Sequence, residues 1–170
     1  MKKRRNNFVL IFNFLCLVLF LLPIRKLNIF EENYSTLSLT TRGYLYLLCI
    51  GLFIGLLFAY ETSRISNNLY AMLIFVSIII GVIIPHHVPY NLQGNLHLLF
   101  AYIGFVGLLI ITLLNCKIKK LRDYYILFIF IAILIYLKYG MVNTLSEVIV
   151  MLSSMMINFI CYIKYANKNI

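Results

Sequence analysis

LHLLFAYIGFVGLLIITLLN, residues 96–115, carries no Lys, Arg, Asp or Glu from its first position to its last. A helix needs about 20 such residues to cross ~30 Å of hydrocarbon, and this stretch supplies them. Its apolar residues run continuously instead of alternating with polar ones, which favours a helix over a barrel strand. The same reading, carried outward, gives six spans, near 8–24, 44–60, 69–84, 96–115, 124–137 and 145–163. The third and fifth are the shortest. The expected fold is all-α: a polytopic membrane protein, one six-helix transmembrane bundle forming a single domain over 1–170.

Composition points the same way. The 170 residues are 63% hydrophobic and 12% charged, with a mean hydropathy of +0.95. Soluble chains run at roughly 45–50% apolar and about a quarter charged. Six spans of about 20 residues would occupy most of the chain, leaving loops and tails. A separate soluble catalytic domain, a cytosolic enzyme and a disordered chain are excluded.

The net charge of +10 is first a topology signal. With the N-terminus inside, Lys2, Lys3, Arg4, Arg5, Arg64, Lys117, Lys119, Lys120, Arg122, Lys164 and Lys168 fall on the cytoplasmic face. Only Arg25, Lys26, Arg42 and Lys138 fall outside. Both termini are therefore expected to be cytoplasmic, and the basic residues to attract anionic lipid headgroups. They are scattered over loops without a reading motif, so nucleic acid is not an expected partner. Leu21, Leu22 and Pro23 offer no small-residue cleavage site after the first span, which is read as a retained helix.

Cys16, Cys49, Cys116 and Cys161 lie within spans or at their inner ends, so they read as packing residues and not as a disulfide or metal framework. Tyr residues near span ends stand in for the missing Trp as an interfacial belt. Gly51, Gly55 and Ala59 recur every fourth residue, a face on which another backbone can approach closely. That face serves either an internal crossing or a homodimer. In the fourth span His97, Ala101, Gly104 and Leu108 form a related stripe. The 25–42 loop, with Glu31 and Glu32, is expected to face outside without obvious structure. Glu61 and Arg64, three apart at the inner side, read as a surface pair.

The scarce polar residues gather at the outer end. His86, His87 and His97 lie within twelve residues, and the sixth span enters from the same side with Asn143, Thr144, Ser146 and Glu147. His97 and Glu147 each sit about one turn into their helices, so they should share a depth and can hydrogen-bond. Three readings compete. One is a structural contact closing the outer end, with Pro85 and Pro89 stiffening the loop. Another is a binding or transport site for a polar headgroup, ion or proton. The third is a hydrolase in which His86, His87 and His97 hold zinc beside Glu147, but no HExxH spacing supports it. Neither a nucleophile elbow nor a phosphate-binding loop is present, so no metal and no other cofactor is expected.

Six spans, inside termini and a long first outer loop resemble the bacterial domain-of-unknown-function 998 family and its relatives, the Frag/DRAM/Sfk group. In that group an outer loop with proline, here Pro89, precedes a fourth helix opening with His and small residues, here His97, Ala101 and Gly104. Its sixth helix opens with Glu, here Glu147, followed by aliphatic residues. The aromatic residue that often follows that glutamate is Val148 here. The resemblance implies a six-span fold, a loose link to lipid biology and the same pair, His97 and Glu147.

The function expected from the sequence is that of a non-enzymatic envelope protein. It would bind membrane lipid or another membrane protein at its outer face, at His97, Glu147, His86, His87 and Asn143. A small transport component, a metal-dependent lipid hydrolase and an accessory protein of peptide export are the alternatives. Abundant Ile, Asn, Lys, Tyr and Phe without Trp fit an AT-rich bacterial genome, hence a multi-pass protein of the plasma membrane.

Overall fold

The computed structural model describes residues 2–65, 68–84 and 92–165. Among them the chain is all-helical, with six α-helices and two 3-10 helices. The α-helices are α1 Lys2–Leu21, α2 Thr41–Ile65, α3 Asn68–Ile83, α4 Leu92–Asn115, α5 Lys119–Tyr139 and α6 Thr144–Tyr165. The 3-10 helices, Leu22–Lys26 and Tyr34–Leu39, lie between α1 and α2. Each α-helix contains most of one apolar run and extends beyond it at one or both ends. Backbone hydrogen bonding continues into polar residues, whereas an apolar run measures only hydrocarbon thickness.

Among the described residues four stretches are long and apolar enough to cross a membrane: Asn7–Lys26, Thr41–Ile65, Leu92–Asn115 and Thr144–Tyr165. α3 is apolar but shorter. α5 carries Lys119, Lys120, Arg122 and Asp123 at its start and Lys138 near its end. The helices leave large apolar side chains on the outside, among them Phe8, Phe14, Leu56, Ile110 and Leu134. An apolar exterior of this extent is unsuited to water and suited to lipid.

The short α3 is gripped from both sides by small residues. A Cβ on Gly51 of α2 would stand 2.7 Å from Val82 Cγ2 of α3, and one on Gly55 would stand 3.2 Å from the Phe75 ring. On the other side, a Cβ on Gly81 would stand 3.3 Å from the Ala101 backbone of α4, and Gly104 lies against Ser77. Gly51 and Gly55 thus serve an internal crossing, while Ala59 is only half-buried. α6 packs against α1, α2, α4 and α5. Tyr125 of α5 and Ser154 of α6 join by a 2.7 Å hydroxyl hydrogen bond.

Local signals end the helices where they should. α5 stops at Gly140, whose φ of 70° is the left-handed conformation a glycine adopts without strain. α6 starts at Asn143, whose Oδ1 accepts from the Ser146 N–H at 3.0 Å while its own N–H donates to Ser146 Oγ at 3.1 Å. This reciprocal pair satisfies donors that a helix start otherwise leaves open. Cys16, Cys116 and Cys161 are buried packing residues, and Cys49 is exposed.

Gly51→Val should destabilise the protein by about 1–3 kcal/mol, the usual cost of overpacking. A Cβ added at Gly107 would meet nothing within 4 Å, so alanine there should be accepted with a gain of up to about 1 kcal/mol in helix propensity. Thermal unfolding of the two variants in detergent checks the contrast.

Candidate functional site

The 25–42 loop is a built cap, which corrects the expectation of a structureless segment. Its hydrogen bonds explain why: polar backbone at the end of a bundle must find partners, and α6 supplies them. The Glu32 carbonyl accepts from the Thr144 N–H at 2.6 Å and from Thr144 Oγ1 at 2.7 Å. The Ile29 carbonyl accepts from the Leu145 N–H at 3.1 Å. Asn143 Nδ2 donates to the Phe30 carbonyl at 3.2 Å. The opening N–H groups of α6, unsatisfied within any helix, are thereby used to dock the loop.

Glu147 completes the dock. Its Oε2 accepts from the Tyr34 N–H at 2.7 Å, at the first residue of the second 3-10 helix. Asn33 caps that helix, accepting on Oδ1 from the Thr36 N–H at 3.2 Å. The Tyr34 ring stacks on Phe20 of α1 with centroids 4.4 Å apart, and its hydroxyl donates to the Phe20 carbonyl. Burial, with the Glu147 charge as a smaller cause, pushes the Tyr34 phenol up, which keeps it a donor. Tyr46 likewise donates to the Leu19 carbonyl, and Tyr44 to the Ile83 carbonyl at 2.6 Å.

His97 is buried at 6% exposure. Its Nδ1 lies 2.6 Å from the Ile84 carbonyl, which can only accept, so Nδ1 carries the proton. Nε2 then faces the Ser35 hydroxyl at 3.1 Å. The sequence pairs His97 directly with Glu147. In the structure the Tyr34–Ser35 step reaches both, Tyr34 to the carboxylate and Ser35 to the imidazole.

Beneath that step lies a partly open cavity of about 210 Å³ between α2, α3, α4, α6 and the second 3-10 helix, lined also by Phe20 of α1. Its walls are apolar, with Ile54, Phe100, Phe105 and Met151 among them. Ser35, Ser38, His97 and Glu147 enter its lining from the capped end, and Ser77 adds a hydroxyl from within α3. Gly51, Ala101 and Gly104 of the two small-residue stripes also line it. The residues that permit the close crossings therefore also border the hollow.

His86, His87, Pro85 and Pro89 lie outside the described residues. Among the described residues no group of three or more His, Cys, Asp and Glu could hold a metal ion. Both ring nitrogens of His97 already have protein partners. Asn143 caps α6 and ties down the loop at Phe30, away from the cavity lining.

Glu61 is not a surface residue, contrary to the sequence reading. It is fully buried at 0% exposure, and Asn13 Nδ2 donates to its Oε1 at 2.7 Å. Arg64 lies over the Tyr60 ring instead, 5.4 Å from its centroid. Three-residue spacing puts 61 and 64 near each other on a helix, but Glu61 belongs to the buried row Ile50, Ile54, Leu57, Glu61 and Ile65. That row was the available signal. Asn13 sits likewise in the buried row Val9, Asn13, Cys16 and Phe20 of α1.

The chain matches no family model, no curated protein and no solved structure.

Glu147→Ala should leave the Tyr34 N–H without its acceptor and cost about 1–3 kcal/mol, whereas Glu147→Gln keeps a carbonyl in place and should cost less. Amide hydrogen exchange at Tyr34 checks it: slow in the wild type, near-native in the Gln variant and fast in the Ala variant.

Proposed function

We propose that this chain is a non-enzymatic, multi-pass protein of a bacterial plasma membrane that binds the hydrocarbon chain of a membrane lipid at its outer face. In this reading all six helices cross or enter the bilayer, both termini are cytoplasmic, and the second 3-10 helix faces outside. The observation that carries the reading is the amphipathic cavity: apolar walls from four helices and a polar end made by Ser35, Ser38, His97 and Glu147. A hydrocarbon chain gains by leaving contact with lipid only if shape and a polar anchor favour the site, and here the anchors stand at one end. At about 210 Å³ the cavity is below the roughly 300–1,000 Å³ of drug-sized sites, and suits one slender chain. The uneven distribution of Lys and Arg supports the orientation. Kinship with the domain-of-unknown-function 998 group is part of the proposal, resting on His97, Ala101, Gly104 and Glu147.

Met151→Trp would place an indole in the cavity. Lipid retained through purification and counted by native mass spectrometry should fall about tenfold, the equivalent of roughly 1.4 kcal/mol, with the melting temperature kept or raised. Equal lipid in variant and wild type would sink the proposal.

A further inference from the structure

A second polar centre lies in the other half of the bundle, where α1, α2 and α6 meet. Glu61 is 0% exposed, Asn158 1% and Asn13 9%. The Asn13 amide bridges the Val9 carbonyl, at 3.1 Å, and Glu61 Oε1, at 2.7 Å. Asn158 reaches the same carboxyl from α6. Yet Glu61 Oε2 and Asn158 Oδ1, both enclosed, have no hydrogen-bond partner among the described residues. Asn158 is eleven residues beyond Glu147 on α6, about 16 Å along the axis at 1.5 Å per residue. This centre is therefore separate from the outer cavity.

Both orphan atoms are acceptors, and buried acceptors need a donor. Among the described residues the nearby cations are engaged elsewhere. Arg64 lies over the Tyr60 ring and Lys164 over the Tyr165 ring, 5.9 Å from its centroid. Cys16 faces Glu61 from α1 and Cys161 from α6, with Cys116 from just beyond the end of α4 beside Cys161. Tyr162 of α6 packs on Tyr60 with ring centroids 5.9 Å apart. Thiols and phenols are weak acids and bring no positive charge. One proton resolves both orphans at once, turning Glu61 Oε2 into a donor toward Asn158 Oδ1.

We propose that Glu61 is an intramembrane proton-binding site. The proton resides on Oε2 and is shared with Asn158 Oδ1, while Asn13 fixes Oε1. An ionisable residue inside a membrane domain usually marks a pathway or a relay, and a carboxyl that carries its proton is the neutral form such a site can hold in low dielectric. The ligand is the proton itself, and the site is independent of lipid binding at the outer face.

Infrared difference spectroscopy of the full chain in lipid vesicles at neutral pH tests this. Expected is a protonated-carboxyl stretch, lowered in D₂O, that is lost in Glu61→Gln and retained in Glu147→Gln. In Asn158→Leu the band should move to higher frequency, because its acceptor is gone. Labelling wild-type glutamate with carboxyl carbon-13 should shift the band and needs no substitution. No protonated-carboxyl band, a spectrum unchanged in Glu61→Gln, or a Glu61 band untouched by Asn158→Leu would overturn the proposal. So would loss of the band when choline chloride is replaced by sodium chloride, which would make the site one for a metal cation.

Discussion

The hydrogen bond from the Tyr34 N–H to Glu147 is the constraint on which the capped end of the bundle depends. A buried backbone N–H left without an acceptor costs about 1–3 kcal/mol. Here the bond does more than satisfy one donor. It sets the start of the second 3-10 helix, and so places Ser35 against His97 and the Tyr34 ring against Phe20. Thr144 and Leu145 add their own N–H groups to the same docking. A long loop is thereby converted into a lid with fixed register on α6.

Under the lid, packing and space come from the same choice of residues. α3 approaches α2 and α4 because Gly51, Gly55, Gly81 and Gly104 remove side chains from the crossings. In a bilayer no hydrophobic drive separates helix from lipid, so such close backbone contact is a main source of association. Glycine and alanine at positions lining the cavity also leave room beneath His97 and Glu147. A stripe that holds a bundle together can therefore shape a binding site without any residue reserved for that purpose.

The sequence made much of the frame legible. Apolar runs placed six α-helices, and four of the apolar stretches among the described residues are long enough to cross a membrane, because hydrocarbon length is a direct demand on composition. Small residues at four-residue spacing marked the crossings, and His97 and Glu147 line one cavity but are joined through Tyr34 and Ser35 instead of directly. The lid was not legible: its structure rests on backbone bonds to Glu32, Ile29 and Phe30, which no side-chain pattern announces. Glu61 was misread for a different reason. Its spacing from Arg64 gave a local explanation that hid its place in the buried row of α2. Asn13 and Asn158 carry no charge to make them stand out in an apolar sequence, although amides inside a membrane bundle also need partners.

The central claim is that a lipid chain enters between α2, α3, α4 and α6 instead of only coating the outside. Photocrosslinking measures this most directly, using a lipid with a photoreactive group midway along its chain and mass-spectrometric mapping of the labelled residues. The account predicts label on cavity-lining Phe105, Leu108 and Met151. Label confined to outward-facing Leu99, Ile103 and Val106 of α4 would contradict it.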